Sequence, residues 1–254
     1  MRPSGLPSLV QAAQRNAARG HPDAALFEIG PVYRGQAPED QQTAVAGVLA
    51  PRPPRDWQGK PGDGLFALKA DVLSLAAELG APTGGVQLVQ EGLSPWWRPG
   101  RSAALQLGPK GRFVEFGELH PRVLKALDAA GPIYAFELVL ERIPEAKRKG
   151  GGKARARLEL SPFMPLGRDF AFVVAEEVTA GDLTRAVAGA DKALIADARV
   201  FDVFRGPSVG DGRKSLAVEI TIQPRERTLT EAEIEQLSAR VIEAAGKLGA
   251  TLRA

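Results

Sequence analysis

Asp202, Phe204 and Ser215 bring a carboxylate, an aromatic ring and a hydroxyl close together in the sequence, with Ala171 upstream as a small companion. Side chains alternate faces along a strand, so residues two apart share one face. Taking Leu216, Val218, Ile220 and Ile222 as inward leaves Ser215, Ala217, Glu219 and Thr221 on an open face. Phe170, Phe172 and Val174 inward likewise leave Asp169, Ala171 and Val173 outside. The strand between is partly apolar in both parities. Setting Phe201 and Val203 inward puts Asp202 and Phe204 outside, next to Ser215.

Such a face suits an unstacked guanine. Its N1–H and N2–H donors are adjacent, and one carboxylate can accept both. An aromatic ring adds a stacking platform worth about 1–3 kcal/mol per base, and alanines let the base approach the sheet. The plain alternative is that Asp202 starts a turn and Phe204 belongs to the core. The residues alone leave both readings open.

Other chemistries are excluded. The 254 residues include no cysteine and two histidines, His21 and His120. Disulfides, thiolate nucleophiles, thiolate zinc sites and a three-histidine metal centre therefore cannot form. The spaced Gly-Lys-Ser/Thr signature of a phosphate-binding loop does not occur. The PGDG and GPKG stretches read as turns, and Glu39-Asp40 beside Pro38 as a solvated loop. A net charge of +3 is compatible with nucleic acid but does not point to it. The longest apolar runs, such as Phe170 to Ala175, fall far short of the ~20 residues that span a bilayer. Met1-Arg2 leads into Pro3-Ser4-Gly5, which lacks the apolar core of a signal peptide. A soluble, cytoplasmic chain without a membrane partner is expected.

These residues need elements to position them. PEAKRKGGGKARAR, from Pro144 to Arg157, holds nothing apolar larger than alanine. It reads as a solvated linker, or as a mobile cationic tether for RNA phosphates. Either way a boundary is expected near residue 152, with domains over 1–150 and 158–254. Before it, helices are expected over Leu6–Arg19, Leu68–Leu79 and Arg122–Ala130. Strands are expected at Ala25–Ile29 (closed by Gly30-Pro31), Thr43–Leu49, Ser102–Leu107, Phe113–Glu118 and Tyr134–Leu140. PRPPRDWQGKPGDG, residues 51–64, is a broken loop. This is an α+β pattern with antiparallel strands.

After the boundary, a strand at Phe170–Ala175 and a helix over Ala180–Gly189 lead to strands at Arg199–Phe204 and Ser215–Ile222, joined by the RGPSVGDGRK stretch, and then to a helix over Glu231–Leu248. Thr179 opens the first helix, and Thr230 with Glu233 forms a capping box on the second. Thr251-Leu252 begins a last strand. The order βαββαβ over about 90 residues is the ferredoxin-like arrangement.

Eight ordered stretches then carry a resemblance. MRPSGLPSLVQAAQRN, LFEIGPVYRG, LSPWWRPGRSA and FGELHP resemble the C-terminal half of bacterial phenylalanyl-tRNA synthetase β chains. RDFAFVV, VFDVFRG, KSLAVEITIQ and RTLTEAEI resemble that family's ferredoxin-fold anticodon-binding domain. Two features differ. The family's chains carry several hundred residues before the MRPS stretch, including an oligonucleotide-fold tRNA-binding module and an editing domain, and neither occurs in this sequence. Arg98 stands where the family usually has His in HPGRSA.

The resemblance implies a class II synthetase-like first domain that has lost catalysis and packs against a catalytic α subunit, with ATP and Mg2+ held on α. The residues agree with the loss. Tyr33-Arg34 continues as GQAPED, and no glycine-rich segment with a terminal arginine follows to grip phosphates. Trp96 and Trp97 are core or interface, since adjacent aromatics on an extended segment cannot both point into one core. With Phe27 and Tyr33 of FEIGPVYRG they are the expected subunit contacts. The resemblance further implies an α2β2 heterotetramer and reading of the tRNA(Phe) anticodon, whose first base is guanine, through the positions of Asp202, Phe204 and Ser215. Phe204 stands where the family has Tyr. A free-standing ferredoxin-like regulatory or protein-interaction protein is the alternative.

Overall fold

The computed structural model describes residues 1–51, 64–82, 86–108, 111–143 and 160–253. The expected linker over Pro144–Arg157, most of the 51–64 loop and the centre of the GPKG turn lie outside these residues. The chain folds as two compact units, Met1–Gly152 and Lys153–Ala254.

The first unit is a six-stranded, wholly antiparallel sheet between two helical layers. Its strands are β1 (Ala24–Tyr33), β2 (Gln41–Ala50), β3 (Val86–Val89), β4 (Trp97–Leu107), β5 (Gly111–Leu119) and β6 (Tyr134–Val139), in the order β1-β2-β6-β5-β4-β3. The helix α1 (Leu6–Ala18) carries Leu6, Leu9, Val10 and Ala13 on one stripe, and these pack on Ala46, Val48 and Ala135. On the other face α2 (Gly64–Glu78) sets Leu68, Val72 and Ala76 against Val45, Leu105, Phe113 and Leu138. The sheet therefore has a core on each side.

Three expectations for this unit need correcting. The first strand does not close at Gly30-Pro31 but runs on to Tyr33, with Pro31 opposite Thr43. Its position at the sheet edge is the reason, because an edge strand tolerates a proline without a ladder donor. The strand β3 has no counterpart among the expected elements: four residues, VQLV, with Leu88 46% exposed, give too short and too weakly patterned a signal. The helix expected over Arg122–Ala130 ends earlier, as α3 (Pro121–Ala126). Asp128 is left-handed there at φ 52°, which breaks the helical repeat.

The second unit runs β7 (Leu166–Ala175), α4 (Ala180–Ala188), β8 (Ile195–Phe204), β9 (Arg213–Ile222), α5 (Glu231–Gly246) and β10 (Thr251–Leu252). Its sheet has the order β10-β7-β9-β8 and all its pairs are antiparallel. This is the ferredoxin-like arrangement, with both helices on one face. Phe172, Val174, Leu216, Val218, Ile220 and Ile222 meet Leu183, Val187, Leu237 and Val241 in that layer. Fully burying each of these side chains is worth about 1.5–3 kcal/mol. Thr179 accepts from the Asp182 N–H at the start of α4, and Thr230 and Glu233 form the capping box of α5. Among the described residues no helix is long and apolar enough to cross a membrane.

Candidate nucleic-acid interface

The face of the second sheet away from its helices is built in cross-strand rows. Thr251, Val173, Ser215 and Phe204 are register neighbours across β10, β7, β9 and β8. One step along, Ala171, Ala217 and Asp202 form the next row. The four residues expected to make the site, Asp202, Phe204, Ser215 and Ala171, therefore share one face on two adjacent rows.

The strand β8 reaches this arrangement differently from simple alternation. Its register against β9 shifts between Val200 and Asp202, so Phe201 is the extra residue of a β-bulge. Of the two residues expected to point inward, Val203 lies on the helix side, paired with Leu216 on an edge strand, while Phe201 does not join the core. Phe201 is 56% exposed, and Val203, although paired with Leu216, is 45% exposed. The bulge removes Phe201 from the alternation, and neither residue belongs to the core cluster.

Accessibility separates the members of the site. Asp202 is exposed and makes no hydrogen bond or ion pair among the described residues, so its two oxygens are free to accept. Phe204 is 39% exposed, whereas Ser215, between Val173 and Phe204, is only 3% exposed. Of the hydrogen-bonding pair, the carboxylate is therefore the group within a ligand's reach.

Close approach and charge shape the surroundings. A Cβ added at Gly206 would stand 2.7 Å from the Phe204 ring, so glycine lets the chain pass against that ring. Arg205 is tethered, its Nε and Nη2 donating to Glu176 Oε1 at 3.0 and 2.6 Å. That hydrogen bond, aided by nearby Lys214, holds the Glu176 carboxyl below its ordinary range. Arg199 pairs with Glu219. Arg253 is an addition to the expected set, reaching onto the face with Cζ 5.0 Å from the Phe204 ring centroid. No local pattern announces it, because its partner lies far away along the chain.

The expected subunit contacts fall in different environments. Phe27 is 73% exposed on the edge strand β1, beside Ile29 at 61%. Both line an apolar groove with Leu75 and Leu79 of the α2 side. Tyr33 is half-buried at the end of β1. Trp96 is half-buried against the α1 core. Trp97 is 3% exposed, and its indole N–H donates to Glu115 at 2.7 Å. That hydrogen bond and the α1-side core claim Trp97 for the interior, so its side chain has almost no surface to offer a partner. Arg98, where the family usually has His, joins Arg101 in pairing with the buried Glu118.

The two units together make an α+β chain, a six-stranded antiparallel domain followed by a ferredoxin-like domain with an open sheet face. The family model for the phenylalanyl tRNA synthetase beta chain CLM domain matches residues 1–140, and that for the ferredoxin-fold anticodon binding domain matches residues 161–253. The chain belongs to the phenylalanyl-tRNA synthetase β chain family. It is 48% identical over 260 residues to the phenylalanine–tRNA ligase β subunit of Bradyrhizobium diazoefficiens, covering 100% of this chain and 32% of that one. The β subunit of Ruegeria pomeroyi is 48% identical over 256 residues with the same coverage. The chain thus spans about a third of the length of these curated relatives. Among solved structures, pyrrolysyl-tRNA synthetase from Desulfitobacterium hafniense aligns with a TM-score of 0.42 at 17% identity over 56% of this chain and 48% of that one. That likeness is too distant to carry an argument.

Proposed function

We propose that this chain works within a cytoplasmic phenylalanine–tRNA ligase as the part that reads the anticodon of tRNA(Phe) and docks a catalytic α subunit, in an α2β2 assembly. The observation that carries the reading is the pair of rows in which exposed, unpartnered Asp202 stands beside Phe204 over the Ala171–Ala217 floor. An unstacked guanine laid on that floor presents two adjacent donors to the carboxylate and a π face to the ring.

The first unit serves assembly in this reading, through the apolar groove at Phe27 and Ile29, with Tyr33 and Trp96 as further contacts. Catalysis belongs to the partner. Adenylate formation needs ATP and Mg2+ with cations placed on the phosphates, and these are assigned to α. This chain contributes binding and orientation of the tRNA.

Titrating the chain assembled with α against the tRNA(Phe) anticodon stem-loop, and separately against phenylalanine with the chain alone, tests the proposal. Stem-loop binding that depends on a guanine at the first anticodon position supports it. Phenylalanine-dependent ATP–pyrophosphate exchange by the chain alone contradicts it. Binding of phenylalanine alone without stem-loop binding favours the free-standing regulatory reading instead.

A further inference from the structure

Arg34 and Arg142 line one small cavity of the first unit, about 170 Å³, with Trp96, Arg112, Glu115 and Glu137. They come from opposite sides of β2, which lies between β1 and β6. Arg34 directly follows β1, where its backbone N–H donates to the Asp40 carbonyl at 3.0 Å and closes the hairpin. Arg142 ends the turn Leu140–Arg142 after β6. That turn is tied to β2 by the Thr43 N–H, which donates to Glu141 at 2.8 Å. Strands lie about 4.8 Å apart, so β1 and β6 stand about 10 Å apart, a gap that two arginine side chains can close.

The cavity offers donors whose usual partners are already taken. One oxygen of Glu115 accepts from the Ser94 N–H and the Trp97 indole, and the other from Arg112 at 3.1 Å. Arg112 also donates to the Glu91 and Gly92 carbonyls. Glu137 accepts from the Gly5 N–H at 2.9 Å. The side chains of Arg34 and Arg142, by contrast, make no hydrogen bond or ion pair with the described residues. Trp96 Nε1 is buried and has no acceptor either. Buried donors are nearly always satisfied, so this one calls for a partner. Loss of water around Arg142, and then repulsion from Arg34, lower its guanidinium pKa, with only Glu115 opposing them. Both arginines keep an exposed side, which gives a solute its way in.

We propose that this cavity is an anion site, built to hold one inorganic phosphate-type anion between the Arg34 and Arg142 guanidinium groups with the Trp96 indole N–H as a further donor. Two forks and an indole supply more donors than the two oxygens of a carboxylate can use. A phosphate brings more oxygens and up to two charges, and each guanidinium can meet a pair of its oxygens. The size sets the upper limit. Sites for larger ligands run to roughly 300–1,000 Å³, so this one takes the anion and not a nucleotide. The assignment of ATP to the partner subunit is unaffected, and the site does not depend on the anticodon reading.

The test uses the full chain at fixed salt in buffer free of phosphate and sulfate. Calorimetric titration with inorganic phosphate, pyrophosphate and acetate is expected to show saturable binding of the first two and none of acetate. Arg34→Gln and Arg142→Gln are each expected to weaken phosphate about 10- to 150-fold, the range for one charged hydrogen-bonding group. Arg142→Lys keeps the charge without the fork and is expected to recover only part of that loss. Arg225→Gln removes an exposed charge from the second unit and is expected to leave the affinity within about twofold. Phosphate is expected to raise the unfolding midpoint of the unaltered chain. Without phosphate, Arg142→Gln is expected to unfold no earlier than the unaltered chain, because it removes a repelled cation. No phosphate binding by the unaltered chain, or acetate binding as tight as phosphate, would overturn the site. So would a Trp96 indole NMR resonance that stays fixed through the titration. Equal losses in Arg142→Gln and Arg225→Gln would reduce the effect to net charge and overturn it as well.

Discussion

Phe204 and Ser215 are register partners on adjacent strands of the open face, yet solvent reaches the ring and barely reaches the hydroxyl: 39% exposure against 3%. The aromatic side chain is thus the member of that pair open to a ligand. Phe204→Ala is expected to weaken stem-loop binding by about 1–3 kcal/mol whatever the first base, since stacking tolerates base identity. Ser215→Ala is expected to cost less than Phe204→Ala. Phe204→Tyr is expected to be neutral or mildly favourable. Titrations of the assembled protein with stem-loops differing only at that base check all three.

Trp97 tests the division between interior and interface. Its indole N–H fills one acceptor position of Glu115, which also accepts from the Ser94 N–H at 3.2 Å. Trp97→Phe keeps an aromatic ring but removes that donor, and is expected to destabilise the first unit by about 1–3 kcal/mol. Co-purification with α at temperatures below the transition is expected to be unaffected. Denaturant unfolding and pull-down measure the two effects separately. Loss of α binding with unchanged stability would return Trp97 to the interface.

Glu233 ties the stability of α5 to acid. Its carboxylate accepts from Arg227, from the Thr230 N–H and from the Thr230 hydroxyl, and these bonds hold its pKa at about 2. A carboxyl whose folded pKa lies below its unfolded value stabilises the fold above the unfolded value. That contribution is lost as pH falls toward the folded one. The start of α5 is expected to hold at neutral pH and to fray only as pH drops from about 4 to 2. Glu233→Gln is expected to remove that acid dependence. An NMR titration following the Glu233 carboxyl carbon checks it, and a midpoint near the ordinary glutamate value would contradict the capping account.

Much of the second unit is legible in the sequence because its strands alternate cleanly. Phe170, Phe172 and Val174 face the helices as the pattern requires, as do Leu216, Val218, Ile220 and Ile222. Thr230 and Glu233 announce the start of α5 through their spacing. The failures have physical causes. Alternation cannot reveal a bulge, so it sets Phe201 inward where β8 leaves it out of the core, nor an edge position, which leaves Val203 exposed on the helix side. Pro31 reads as a stop, but proline is tolerated on an edge strand, and edge position is a property of the whole sheet. The alternation argument also fails at the tryptophan pair: Trp96 precedes β4, so both rings can meet the α1-side core, and Trp97 finds Glu115 only through the fold. Arg253 is invisible for the same reason, since its partner Phe204 is distant in sequence and lies on the far edge of the sheet.

The central claim is that Asp202 reads guanine, and replacing guanine by inosine tests it most directly. Inosine keeps the N1–H and lacks the N2 amino donors. Asp202→Asn preserves shape while turning one acceptor oxygen into a donor, so guanine's two donors can no longer both be met. A charged acceptor is worth roughly 1.5–3 kcal/mol, or about 10- to 150-fold in affinity. Stem-loop titration of the assembled protein at fixed salt is predicted to show that loss with guanine and a much smaller one with inosine. Equal losses for the two stem-loops would show the carboxylate to be structural and would contradict the assignment.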